Sequence, residues 1–83
     1  MSYEKVKQAK QLVIGTKQSK KAIERQRALL VVLAQDADLM VTYPIQVICE
    51  ENHVAYTYVS SMKELGKASG IQVGTAVVAI LKD

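Results

Sequence analysis

Ala28-Leu29-Leu30-Val31-Val32-Leu33-Ala34 decides the fold. Seven consecutive apolar residues have the length of a strand and fall far short of the roughly 18 that span a bilayer. Successive side chains of a strand point to opposite faces, so unbroken apolarity means that both faces are covered. The stretch therefore belongs to a parallel or mixed sheet lying between two layers of helix. Thr75 to Leu81 (TAVVAIL) reads the same way, and Ala55 to Val59 (AYTYV) has the Tyr and Val types that favour a strand.

The segments between these strands carry helical patterns. Tyr3 to Val13 is predicted as a first helix, with Val6, Ala9, Leu12 and Val13 at helical spacing and Lys5, Lys7 and Lys10 on the other faces. Gly15 then stands where a helix ends in left-handed backbone. Thr16 is placed to cap a second helix that runs to about Gln26 and is buried through Ala22 and Ile23. Gln35 to Asp38 is an exit loop. Pro44 suits the first turn of a third helix, Pro44 to Asn52. Ser61 and Glu64 have capping-box spacing and start a short helix through Ala68, which Gly70 ends. The expected fold is α/β: a three-layer α-β-α sandwich with a small mixed four-stranded sheet, three strands of which this reading locates. The 83 residues make one domain, 1–83.

Charge is segregated along the chain. Residues 1–27 hold eight Lys or Arg against Glu4 and Glu24, a local excess of six. Residues 28–62 have no Lys or Arg, and Asp36, Asp38, Glu50 and Glu51 give minus four; the remainder returns plus one, for a net +3. Such segregation suits a polyanion approaching one side, as well as a merely solvated helical face. The polar start of the chain has no signal-peptide core, and the lone Cys49 fits a reducing compartment, so a cytoplasmic location is expected.

Catalytic groups are scarce. Cys49 and His53 lie four apart, but two ligands do not close a zinc site. Gly66-Lys67-Ala68-Ser69 is similar to the tail of a phosphate-binding loop, yet Ser61 stands where that motif needs glycine. Asp36 and Asp38 suit helix entry better than acid/base work. No nucleophile, base and anion hole assemble, so no enzyme, cofactor or metal is expected.

Two glycine-marked segments remain. Gly15-Thr16-Lys17-Gln18-Ser19-Lys20-Lys21 opens a helix, where free N–H groups and the positive dipole end favour phosphate. Lys17 can donate to a guanine edge, and Gln18 offers both a donor and an acceptor. Gly70-Ile71-Gln72-Val73-Gly74-Thr75 places two apolar residues between glycines, a platform for an unstacked base unless the side chains turn inward.

These segments, together with Val31 to Asp38 (VVLAQDAD) and Glu64 to Val73 (ELGKASGIQV), carry a resemblance that covers nearly the whole chain. The chain resembles the kink-turn-binding ribosomal proteins, large-subunit proteins of the seven-Ae and thirty-e type, and looks closest to the short bacterial ribosomal-protein-like members. The resemblance implies a non-catalytic, monomeric, cytoplasmic component of ribonucleoproteins. Its partner would be a kink-turn, an RNA helix bent at a three-nucleotide bulge flanked by sheared G·A pairs, in ribosomal or other structured RNA, with no membrane involved. By position, Gly15, Thr16, Lys17, Gln18 and Lys21 would face the G·A pairs and nearby phosphates, with Lys20 adding charge, while Ile71, Gln72 and Val73 would cover a flipped base. Archaeal members typically carry Asn-Glu where Lys17-Gln18 stand. Gln72 replaces a common glutamate, and Met62 stands where some members have lysine. A neutral amide accepts more weakly than a carboxylate, so binding should persist with greater salt sensitivity. The alternative is a protein-interaction or substrate-recognition module acting with a partner in trans, since related domains precede RNA-modifying catalytic domains.

Overall fold

The computed structural model describes residues 2–83. Four helices and four strands alternate: α1 (Ser2–Gln8), β1 (Leu12–Ile14), α2 (Thr16–Glu24), β2 (Ala28–Ala34), α3 (Leu39–Glu51), β3 (Ala55–Val59), α4 (Met62–Ala68) and β4 (Val77–Leu81). The sheet order is β1-β4-β2-β3, with β2 and β3 parallel and β4 antiparallel to both its neighbours. The sheet is thus mixed and four-stranded, as expected.

Alternation along β2 divides the core. Val31 and Leu33 join Val77 and Ala79 on one face, beneath Ala22 and Ile23 of α2 and Ile45 and Cys49 of α3. Val32 and Ala34 join Val78 and Ile80 on the other, beneath Val6 of α1 and Leu65 of α4. Both faces are covered, which is why the central strands are apolar at every position. Among the described residues no helix is long and apolar enough to cross a membrane.

The first helix is shorter than its periodicity predicts. Leu12 and Val13 continue the spacing of Val6 and Ala9, yet with Ile14 they form β1, paired to β4 from Leu12↔Ile80 to Ile14↔Val78. The strand wins because its two faces reach both cores, Val13 against one and Leu12 and Ile14 against the other. α2 stops at Glu24 rather than Gln26, and β4 starts at Val77 rather than Thr75. α3 starts five residues before the expected Pro44. Asp38 is its cap and accepts from the Met40 amide at 2.9 Å. Pro44 therefore lies inside the helix. Its missing N–H would have met the carbonyl of Met40, an exposed residue, so the loss falls on the solvent side.

Three helices end alike. Gln26, His53 and Gly70 each take positive φ just past α2, α3 and α4. In each case the next amide reaches back to the carbonyl five residues earlier: Arg27 to Ala22, Val54 to Cys49 and Ile71 to Gly66. This turn satisfies carbonyls left open at a helix end. Only one of the three uses glycine.

Leu33 is fully buried, whereas Leu29 occupies an irregularity in the β2–β4 pairing and is 59% exposed. Leu33→Ala should cost about 2–5 kcal/mol and Leu29→Ala under about 0.5 kcal/mol in urea denaturation. Equal losses would contradict this assignment of the core.

Candidate nucleic-acid interface

The chain passes from β1 to α2 through one residue. Gly15 takes φ 98° and ψ 163°, a region open essentially to glycine alone. Its N–H donates to the Val77 carbonyl at 2.9 Å, and its carbonyl accepts the Ser19 amide at 3.1 Å. As the capping position of α2 it offers no side-chain oxygen. The opening turn of the helix therefore has no side-chain cap on its amides, and nothing lies within 4 Å of where a Gly15 Cβ would stand. This differs from the expected roles: Gly15 starts α2 instead of ending α1, and Thr16 is the first helical residue rather than its cap. Ser19, Ala22 and Ile23 face the core, which leaves Thr16, Lys17, Gln18, Lys20 and Lys21 exposed. An uncapped helix start with lysines in its first two turns attracts an anion without competition from a local carboxylate.

The loop from Gly70 to Ala76 reaches the same end of the sheet. Thr75 Oγ1 donates to the Val77 carbonyl at 3.0 Å, the oxygen that also accepts from Gly15. One oxygen thus ties the α2 start to the glycine-marked loop. The loop is clamped elsewhere as well: the Thr75 amide donates to the Met62 carbonyl at 3.1 Å and the Ala34 amide to the Ala76 carbonyl at 2.9 Å. Gly66 lets it lie flat, since a Cβ there would collide with the Val73 carbonyl oxygen. Ile71 is half-buried, Gln72 exposed, and Val73 70% exposed. Of the two apolar loop residues, only Val73 is largely free to meet a partner.

Asp36 and Asp38 serve the scaffold at this rim. Asp36 accepts from the Met62 amide at 2.8 Å, opposite Ser61, which caps α4 by accepting from Glu64 at 3.2 Å. Asp38 caps α3. Two further groups were not apparent from the sequence. Leu39, Met40 and Tyr43 are exposed on the first turns of α3, a face hidden when the helix is started at Pro44. Arg25 continues the four-residue spacing of Lys17 and Lys21, and lines a shallow cleft with Gln18 and Lys21.

Cys49 is fully buried in the α3 core. Burial, then the neighbouring Glu50 charge, pushes its thiol up to about 11. His53 sits exposed beyond the helix end. The structure does not make a nucleophile of this pair. Tyr56 donates to Glu50 at 2.8 Å, a bond that holds the phenol above its ordinary value.

This fold and site define an α/β/α protein with an anion-attracting helix start beside a glycine-clamped apolar loop. Comparison with known proteins gives the family. Residues 2–83 match the model of the Ribosomal protein L7Ae/L30e/S12e/Gadd45 family, and the chain belongs to that family. The RNA-binding protein YbxF of Geobacillus stearothermophilus is 51% identical over 82 residues, covering 99% of this chain and all of the relative. An RNA-binding protein of Bacillus pumilus is 48% identical, covering 98% of this chain and 99% of its own length. A 15.5kD RNA-binding protein of Giardia lamblia superposes with a TM-score of 0.90 at 31% identity, covering 99% of this chain and 72% of that one.

Gly15→Ala should lower stability by about 1–3 kcal/mol in urea denaturation although there is room for the methyl group, because the cost is backbone strain. Cys49 should resist a disulfide reagent at pH 8 until the chain is unfolded. Its raised value also sets a sign: stability is unaffected below the ordinary value of 9.0 and declines as pH rises toward about 11, where the unfolded chain ionises first. Cys49→Ala should remove that part of the decline.

Proposed function

We propose that this chain is a non-catalytic RNA-binding protein that recognises kink-turns in ribosomal or other structured RNA. RNA binding follows from the family and from the names of relatives that match over their whole length. Kink-turn recognition is supported by one observation above all. The Val77 carbonyl holds the α2 start and the Gly70–Ala76 loop at one end of the sheet, so a sharply bent RNA can meet both together.

In this reading the open amides of α2 and Lys17 receive phosphates and guanine edges at the kink. Gln18 pairs with a base edge, Lys20 and Lys21 neutralise flanking phosphates, and Val73 covers an unstacked base with Gln72 at its margin. Ile71, half-buried, offers less of its side chain to that base than Val73 does. Arg25 joins Lys21 as a phosphate contact. The protein acts as a monomer in the cytoplasm, a setting that suits the single buried thiol.

The exposed Leu39, Met40 and Tyr43 favour a second reading, a protein-interaction module working with a partner in trans. Copurified proteins that persist after nuclease treatment would favour it.

A fluorescent kink-turn RNA should bind far more tightly than a straight duplex in which the G·A pairs are replaced. Equal affinities would refute the proposal. Gln18→Ala and Lys21→Ala should each weaken binding by about 1–3 kcal/mol, whereas Lys5→Ala, on α1, should change it little.

A further inference from the structure

The cations of this protein do not stop at the helix start. Gln18, Lys21, Arg25 and Arg27 line one cleft, walled by Val13 of the edge strand β1 and Leu81 at the end of β4. Among the described residues no carboxylate lines it. Two structural features bring Arg27 there. The first is the turn after α2, in which Gln26 takes φ 60° and the Arg27 amide reaches back to Ala22 at 2.9 Å. A non-glycine residue in left-handed backbone is strained, and here Gln26 Nε2 donates to Asn52 Oδ1 on the neighbouring helix end at 3.2 Å. The second is β4, whose exit places Lys82 beside Arg27, the Lys82 amide donating to the Arg27 carbonyl at 2.9 Å. Val77 and Leu81 are opposite ends of one strand. The cationic line therefore runs from the Gly15 end of the sheet to the other end, and Lys17 to Arg25 alone spans about 12 Å of helix.

We propose that this cleft is a phosphate track, along which one helical arm of the bound RNA continues past the kink to Arg27 and Lys82. The inference rests on the RNA-binding reading and extends its footprint. Phosphate is favoured over a base at Arg27 because the cleft is shallow and its polar lining is almost entirely cationic, with Gln18 the one neutral member. Contacts of this kind position the RNA and carry no sequence information. They also give a measurable salt dependence, because each neutralised phosphate releases a counterion.

The experiment uses the whole chain and kink-turn RNAs in which each helical arm in turn is cut to a few base pairs or left at a full turn. For one arm, the wild-type protein should lose about tenfold in affinity on shortening. The Arg27→Ala, Lys82→Ala protein should bind the long-armed RNA about tenfold more weakly than wild type, and should lose nothing further on shortening. Its slope of log affinity against log salt should fall by about 1–2 with the long arm only. A Lys5→Ala, Lys10→Ala protein has the same net charge and should shift affinity by less than about twofold, which separates a track from bulk charge. The track is refuted if the Arg27, Lys82 protein matches wild type on the long-armed RNA, if it weakens equally on both arm lengths, or if the Lys5, Lys10 protein weakens as much. Loss of preference for the kink itself is a different failure. It would refute the kink-turn reading and would appear in the wild-type protein before any variant is made.

Discussion

The Val77 carbonyl oxygen accepts both the Gly15 N–H and the Thr75 hydroxyl, and the geometry of the candidate site depends on that shared acceptor. Gly15 and Thr75 are sixty positions apart and belong to segments with no common secondary structure. β1–β4 pairing brings the α2 start against β4 at the point where the loop ends. Without the Thr75 hydroxyl the loop would keep its anchors at Met62 and Ala34 but lose its own bond to the Val77 carbonyl. Glycine is required around this junction for two different reasons. Gly15 adopts backbone that a side chain would strain, and Gly66 leaves room for the Val73 carbonyl. The loop backbone is hydrogen-bonded at several points, which limits the ordering cost of meeting a structured partner.

The polar residues of the rim divide by role. Asp36, Asp38 and Ser61 are engaged with helix-start amides, so they hold α3 and α4 in place. α2 differs from α3 and α4 in having a glycine cap, with Lys17 in its first turn and Lys20 and Lys21 in its second. Its positive end is accordingly open to an external anion. The acidic stretch from Ala28 to Met62 lies mainly in elements whose charges cap helices or, as with Glu50, accept from a tyrosine. Charge segregation along the sequence thus becomes, in part, separation between scaffold acids and the basic edge of α2, with Lys5, Lys7 and Lys10 left on the α1 side.

Much of the architecture was legible because burial on two faces leaves a plain mark. β2 and β3 fall where Ala28–Ala34 and Ala55–Val59 indicated, and Ser61 caps α4 as its spacing to Glu64 implied. Leu12–Ile14 was not legible as a strand, since three residues carry no alternation and Leu12 and Val13 fit a helical period equally well. Pro44 misled because its usual place is a first turn, while here its solvent-side position tolerates the missing donor. The site residues were readable as types: glycines, lysines and apolar loop residues in order. Their meeting was implied by the resemblance alone, because in the residues themselves it depends on strand order. Arg27 was invisible for a similar reason, since its direction is set by a left-handed Gln26 that no local preference predicts.

The central claim is that the α2 start and the Gly70–Ala76 loop engage one RNA as a single surface. Amide chemical-shift mapping during titration with a kink-turn RNA tests this most directly. The account predicts that Gly15, Thr16 and Lys17 shift together with Ile71, Gln72 and Val73, saturating at the same stoichiometry, while α1 amides stay in place. Shifts confined to one of the two segments, or saturation of the two at different RNA concentrations, would contradict it.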